Sequence, residues 1–352
     1  MKILFAIQGT GNGHLSRAQT LLPEIKKYGE VDILISGNKA DIKMSHPVKF
    51  FYKGLSFSFG KQGGIDFRKS LTEANIYRLI KEYESIPVEK YDLVINDFEP
   101  LTAWSCRVKQ IPCIGLSHQS ALFQPFVPMP TENNWLGSFI LQYYAPVPDA
   151  VSFHFQAYNP SIFTPVIRND IRKMRKSNKG HLSVYLPAYA DEYIAGILAD
   201  IRGIKADIFS KSGTRKQTNA AIRILPIETQ AFALSMASSD AILCGAGFET
   251  PAEALFLNKK LMVIPMKNQF EQQCNATALA DLGVNVLSSL QSENTAEIKH
   301  WLESDNKIHL DYPDHNKEVI QTVFEKFDAL KSRSGSKTSS VKNARPLVPN
   351  FM

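Results

Sequence analysis

Residues 2–14 read "KILFAIQGTGNGH", an apolar run followed by three spaced glycines and a histidine. A short β-branched and aromatic run closed by glycines is the pattern of a buried parallel strand that turns into a helix. Gly9, Gly11 and Gly13 permit a tight turn and a backbone approach that side chains would block. The dinucleotide fingerprint G-x-G-x-x-G would need glycine where His14 stands. The second strand also ends "LISGN", without the acid that usually holds an adenosine ribose. A dehydrogenase is disfavoured on both counts. A histidine lifted on such a loop titrates near neutral pH and can take a proton from a hydroxyl. The plainer alternative is that His14 only lines the turn before Ser16.

Outward from that loop, strand-like runs alternate with amphipathic stretches, which implies parallel strands joined by helices. The first half offers "KILFAI", "VDILIS", "VKFFYKG", "YDLVIN", "PCIGLS" and "AVSFHF", with helices near 16–28, 71–84, 100–109 and 134–144. The second offers "LSVYLPA", "ADIFS", "IRILP", "DAILCG", "LMVIPM" and "VNVLSS", with helices near 190–201, 229–238, 250–257, 269–281 and 294–304. The reading is α/β: two Rossmann-like, doubly wound domains, 1–165 and 182–311, facing a cleft. Between them 166–181 forms a basic linker, whose Arg168, Arg172, Lys173, Arg175, Lys176 and Lys179 read as a solvated connector. A last helix, 312–331, is expected to pack across both domains, and 332–352 to form a basic flexible tail. Open α/β sheets bind ligands at the carboxyl ends of their strands, so the chemistry should lie in strand-to-helix loops.

The formal charge of +6 hints at nucleic acid, but Lys331, Arg333, Lys337, Lys342 and Arg345 sit in the last 22 residues without an acid. The excess belongs to the tail, where a solvated terminus is the first reading and weak attraction to anionic lipid the second. The rest of the chain carries no signal for nucleic acid. No apolar run approaches the roughly 20 residues needed to span a bilayer, and the amino-terminal run reads as a strand and not a signal peptide. Cys106, Cys113, Cys244 and Cys274 lack metal-site or disulfide-framework spacing, so reduced thiols and a cytoplasmic location are expected.

Asp97, after the strand "YDLVIN", falls on the same sheet edge as His14 and could orient its imidazole, or could instead cap the helix after "FEP". "DFE" at 97–99 has the form of a carboxylate pair for a divalent ion, but neither a second acidic pair nor a Cys/His cluster supports a metal. His118, in "LSHQS", is an acceptor-side contact or a polar loop lining.

The strongest local signal is "DAILCGAGFETPAEALFLNKKLMVIPMKNQFEQQCNATALADLGV", 240–284. A strand ends at Cys244, Gly245 and Gly247 make the turn, and Pro251 starts a helix where a missing amide costs nothing. Free amides and the positive end of the helix dipole then make an anion site suited to diphosphate.

This passage resembles the nucleotide-sugar domain of GT-B glycosyltransferases, especially the peptidoglycan N-acetylglucosaminyltransferase and the UDP-glycosyltransferases. The resemblance implies that Gly247 and Thr250 grip the diphosphate, that Glu253 holds the ribose, and that Glu271 and Gln272 of "EQQCNA" touch sugar hydroxyls. It also implies that Pro226 and Ile227 offer backbone contacts to the base. On the acceptor side, "GTGNGH" is similar to the family's glycine-rich loop, with Gly11 and Gly13 beside the acceptor, His14 as base and Asp97 as its acidic partner. The expected enzyme is a metal-independent inverting glycosyltransferase of hexosyltransferase type. It would use a nucleotide-sugar, a UDP-sugar first, as co-substrate and no cofactor.

Two departures stand out: "LPAYADE" replaces a glycine-serine loop after the first strand of the second domain, and "IRILPIETQ" lacks the plant enzymes' tryptophan signature. A sugar-nucleotide 2-epimerase of the same architecture and a non-catalytic nucleotide-sugar binding protein are the rival readings. The acceptor is the least legible element, either carbohydrate or lipid-linked. "ALFQPFVPMPTENNWLGSFILQYY", 121–144, reads first as a core-facing helix with a Pro-rich lead; exposure of its apolar face would favour an acceptor at the inner face of the membrane.

Overall fold

The computed structural model describes residues 1–37, 44–54, 76–131, 134–211, 216–217 and 221–341, with the backbone alone at 76, 216–217 and 334–341. The first sheet holds β1 (Lys2–Gln8), β2 (Glu30–Ser36), β3 (Phe50–Tyr52), β4 (Leu93–Asp97), β5 (Cys113–Ser117), β6 (Asp149–Phe153) and β7 (Ile162–Phe163). Its helices are α1 (Asn12–Ile25), α2 (Ile76–Ser85), α3 (Pro100–Lys109), α4 (Trp135–Tyr144) and the single turn α5 (Asn169–Arg172). The second sheet holds β8 (Leu182–Tyr185), β9 (Ala206–Ser210), β10 (Lys216–Gln217), β11 (Ile222–Pro226), β12 (Ala241–Gly245), β13 (Lys260–Ile264) and β14 (Asn285–Val286). With it run α6 (Asp191–Ala199), α7 (Thr229–Ser238), α8 (Glu249–Phe256), α9 (Phe270–Asp281), α10 (Thr295–Glu303) and α11 (Asn316–Val341).

Strand orders are β3-β2-β1-β4-β5-β6-β7 and β10-β11-β9-β8-β12-β13-β14, parallel throughout except that β10 runs antiparallel to β11. Parallel strands are covered on both faces, which is why their sequences are continuous rather than alternating apolar runs. Along β1, Ile3, Phe5 and Ile7 pack with Leu15, Ala18 and Leu22 of α1, whereas Leu4 and Ala6 face Ile86 and Leu101 on the other side. In each sheet the order reverses once, between β1 and β4 and between β8 and β12. The carboxyl ends of those four strands are therefore where a ligand crevice opens. This architecture is the GT-B one.

Three segments differ from the sequence reading. The stretch read as a linker, 166–181, supplies the single turn α5, just after β7 has joined β6 at the edge of the first sheet. Lys173, Arg175 and Lys179 are exposed as a solvated connector requires, but Arg168 pairs with Glu253, Arg172 donates to the carbonyls of Tyr312 and Pro313, and the exposed Lys176 donates to the last carbonyl of α8 at Phe256. These cations are drawn in because carbonyls at chain and helix ends lack backbone partners. The final helix runs on to Val341 and packs with α1, β5 and β6, with Tyr28 stacked on Phe324 at 3.8 Å and Lys326 on Asp149 at 2.7 Å. Its main contacts thus return to the first sheet instead of spanning both. Helix α2 begins at Ile76; the expected start at 71 and the tail beyond 341 lie outside the described residues. All four cysteines are free and buried, and among the described residues no helix is long and apolar enough to cross a membrane.

Candidate active site

Helix α1 opens directly after the glycine loop, with Gly11 as its N-cap and no side chain capping it. His14 and Arg17 are three residues apart on that helix and so share a face. Both meet Asp97, the last residue of β4, which is paired in register with Ile7 of β1. His14 Nδ1 lies 2.8 Å from Asp97 Oδ1, and Arg17 donates to the same oxygen at 2.6 Å. Because that carboxylate accepts, the proton sits on Nδ1 and the other ring nitrogen keeps its lone pair. Burial alone would lower the His14 pKa, but the charge and hydrogen bond of Asp97 lift it above the ordinary value, against an opposing pull from Arg17. Burial pushes the Asp97 carboxyl up, yet Arg17 and His14 hold it below the usual range.

A cleft of about 780 Å³ opens in front of this group, with Gly247, Phe248, Glu249 and Thr250 at the start of α8 and Glu271 and Gln272 of α9 on its far wall. No side chain caps α8. Glu249 reaches across to accept from Arg17, and a β-carbon on Gly13 would overlap its carboxylate. Glu271 accepts from Gln119 at 3.1 Å, a second contact between the halves, and Gln272 accepts from the Met266 amide at 2.9 Å. Thr250 also borders a smaller recess with Ile227, Glu253 and Arg168. Arg168 binds both oxygens of Glu253, at 2.6 and 3.0 Å. Burial raises the Glu253 pKa and Arg168 opposes that rise.

The structure brings His14, Gly11, Gly13, His118, Gly247, Thr250, Glu271 and Gln272 around one cleft, with Asp97 buried behind His14, and places Ile227 and Glu253 at the adjoining recess. Pro226, the last residue of β11, lines neither, and Gly245 lies behind Gln272. Gly11 has open space about its position, whereas Gly9 is pressed against Ile35 and the Gly37 carbonyl, so close approach is needed at Gly9 and Gly13 only.

His118 lines the cleft as a polar loop residue whose ring nitrogens are already engaged. It is fully buried, with Nδ1 at 2.9 Å from the Phe153 carbonyl, Nε2 at 2.6 Å from Asn275 Oδ1, and its ring stacked 3.8 Å from Phe248. Burial outweighs these hydrogen bonds and pushes its pKa down to about 4. Both nitrogens are occupied, and the Nε2 contact joins the two halves. Nor does Asp97 cap α3: Glu99 does, accepting from the amides of Leu101 and Thr102 and from Ser36. That commitment removes Glu99 from any pairing with Asp97 around an ion. Among the described residues no group of three or more His, Cys, Asp or Glu side chains is placed to hold a metal.

Arg17, Glu249 and Gln119 have no role in the sequence reading, and Arg168 has only that of a solvated base. Starting α1 at 16 hid the relation of Arg17 to His14, which a start at 12 would have shown through helical spacing. The other three act between distant parts of the chain and leave no local pattern. Helix α4 also differs from its core-facing reading. Ile140, Leu141 and Tyr144 border the cleft, while Trp135 and Phe139 are 70% and 56% exposed, and Phe126 in the lead segment is 82% exposed.

Two parallel α/β domains with catalytic-type side chains at one switch point and an uncapped helix start at the other define a GT-B glycosyltransferase. The chain belongs to glycosyl transferase family 1, whose model matches residues 1–304. No curated protein sequence matches it significantly. Solved structures of like fold include UGT89C1 of Arabidopsis thaliana complexed with UDP, at 13% identity and TM-score 0.56, covering 94% of this chain and 98% of that one. MurG of Acinetobacter baumannii has 14% identity and TM-score 0.53 over 94% of this chain and 99% of its own. The spinosyn forosaminyltransferase SpnP has 12% identity and TM-score 0.54 over 94% and 95%.

Proposed function

We propose that this chain transfers a hexosyl group from a nucleoside-diphosphate donor, a UDP-sugar first, to an acceptor hydroxyl, by inversion and without a metal ion. The observation that carries the reading is the His14–Asp97 pair, 2.8 Å apart, on the lip of a cleft whose opposite wall is the start of α8. The acceptor oxygen attacks the anomeric carbon and gives its proton to His14 Nε2. The bond from that carbon to the diphosphate oxygen breaks, and its electron pair leaves with the diphosphate. Asp97 steadies the resulting imidazolium, and the first-turn amides of α8 with Gly247 and Thr250 receive the leaving charge. A single displacement from the opposite face inverts the anomeric centre. Glu253 retains lone pairs for a ribose hydroxyl beside its Arg168 contacts, and Glu271 with Gln272 meets the sugar.

Family membership supports glycosyl transfer, and UDP in UGT89C1 supports the donor class. The exposed aromatic face of α4 beside the cleft favours an acceptor with an apolar part, including a lipid-linked one met from the cytoplasm at the membrane surface. A thermal-shift panel of UDP-, GDP- and dTDP-sugars, followed by assay of the best binder for sugar release in EDTA, tests the reading. Stabilisation by at least one donor and EDTA-resistant turnover are expected. No hit in the panel sinks the donor, and EDTA-sensitive turnover sinks the metal independence.

A further inference from the structure

Arg17 lies in the first domain, yet it is the charged group that bridges to the diphosphate end of the cleft. Its side chain is 2% exposed, and its guanidinium is shared between Asp97 and Glu249. The Nε–H is buried with no hydrogen-bond partner, so the guanidinium has donor capacity beyond those two contacts. Glu249 is placed unusually for a binding site that must accept an anion. It is the first residue of α8, 25% exposed, and its carboxylate lies over Gly13 at the mouth of the cleft. A negative group at a helix start is favourable by itself, but it stands where a bound diphosphate would need the same helix start and the same cation. Two anions there would repel, and one guanidinium cannot keep its N–H on both.

We infer that Glu249 is an internal stand-in for the donor diphosphate, and that Arg17 exchanges the carboxylate for the diphosphate when donor binds. The inference rests on the proposed donor chemistry. In the empty cleft the Arg17–Glu249 pair compensates a cation that would otherwise be buried with a single carboxylate. On binding, Glu249 swings from over Gly13 toward solvent, which its partial exposure allows. Arg17 then contributes to the leaving group from the acceptor side while still holding Asp97. The base and the leaving-group site are thereby tied to one side chain. Gly13 is small because the stand-in needs the space above it.

The test titrates inorganic pyrophosphate, UDP and uridine into the full chain as wild type, Glu249→Gln, Arg17→Gln and the double variant. Glu249→Gln removes the competing charge without the side-chain volume, so pyrophosphate and UDP should bind roughly three- to tenfold more tightly, with uridine unchanged. Arg17→Gln should weaken pyrophosphate by more than about tenfold, and the gain from Glu249→Gln should vanish in that background. A Glu249→Gln protein that binds pyrophosphate no better than wild type overturns the inference while UDP binding by wild type leaves the proposed reaction standing. A gain that survives in the double variant also overturns it. If Arg17→Gln does not fold, Glu249→Gln alone decides. Wild type that binds neither pyrophosphate nor UDP overturns both readings.

Discussion

The loops after β1 and β12 solve one geometric problem in opposite chemical ways. Each leaves the carboxyl end of a strand beside a switch point, turns through small residues and opens a helix that no side chain caps. The first then spends its helix face on side chains, with His14 and Arg17 gathered on Asp97. The second offers backbone, with Gly247 lining open space in front of α8. A base must be a titratable side chain held by a partner, whereas a diphosphate is met well by amides that cannot titrate at all. The same turn therefore tolerates different substitutions at its two occurrences.

The sharpest way to break this comparison is His14→Ala. If the first loop works through its side chain, kcat should fall about a thousandfold, within the usual range for loss of a general base, with donor affinity retained in a thermal-shift titration. Equal loss of donor affinity would mean that both loops act by binding. Asp97→Asn should lower kcat by about a hundredfold and move the pH profile. Transfer requires neutral His14, so kcat/KM should decline as pH falls through a His14 pKa lifted above 6.5 by Asp97. Without that carboxylate the acidic limb should shift to lower pH; a shift upward contradicts the assignment.

For the second loop, Gly247→Val should weaken UDP by about tenfold or more by filling the space the diphosphate needs. Its melting temperature should stay near wild type, since no protein atom beyond the adjoining residues lies within 4 Å of the added β-carbon. A large loss of stability would instead make Gly247 a folding residue. The smallest effect is expected behind the second loop, at the side chain that braces it. Asn275→Ala removes the partner of His118 and of the Ala246 carbonyl, a cost of about 1–3 kcal/mol read as a lower midpoint in denaturant.

The alternation of strands and helices was legible because parallel strands buried on both faces must be apolar throughout, and helices at 229–238, 249–256 and 270–281 fall within a residue of where periodicity put them. The loops that face the cleft were legible for the same reason: glycine after a strand leaves few options. His14 and Asp97 were found because each follows a strand of the same sheet edge. His118 has that same placement and reaches the same cleft, but its burial depends on Phe248 and Asn275 from the other half, which no local pattern shows. Arg168 was misjudged, as a basic stretch looks solvated until Glu253 is seen beside it.

The chain's own order of residues determined two doubly wound sheets, the position of a histidine on one glycine turn and of an amide-rich helix start on another. Those features follow from local sterics and from periodic burial, which act over a few residues. Tertiary structure alone decided that Arg17 would join His14 to Glu249, that Glu253 would be neutralised by a linker arginine, and that α4 would turn aromatic residues outward. Charge pairing and burial depend on distances between segments far apart in the chain, such as the Arg17–Glu249 contact across 232 positions. No local pattern encodes such distances.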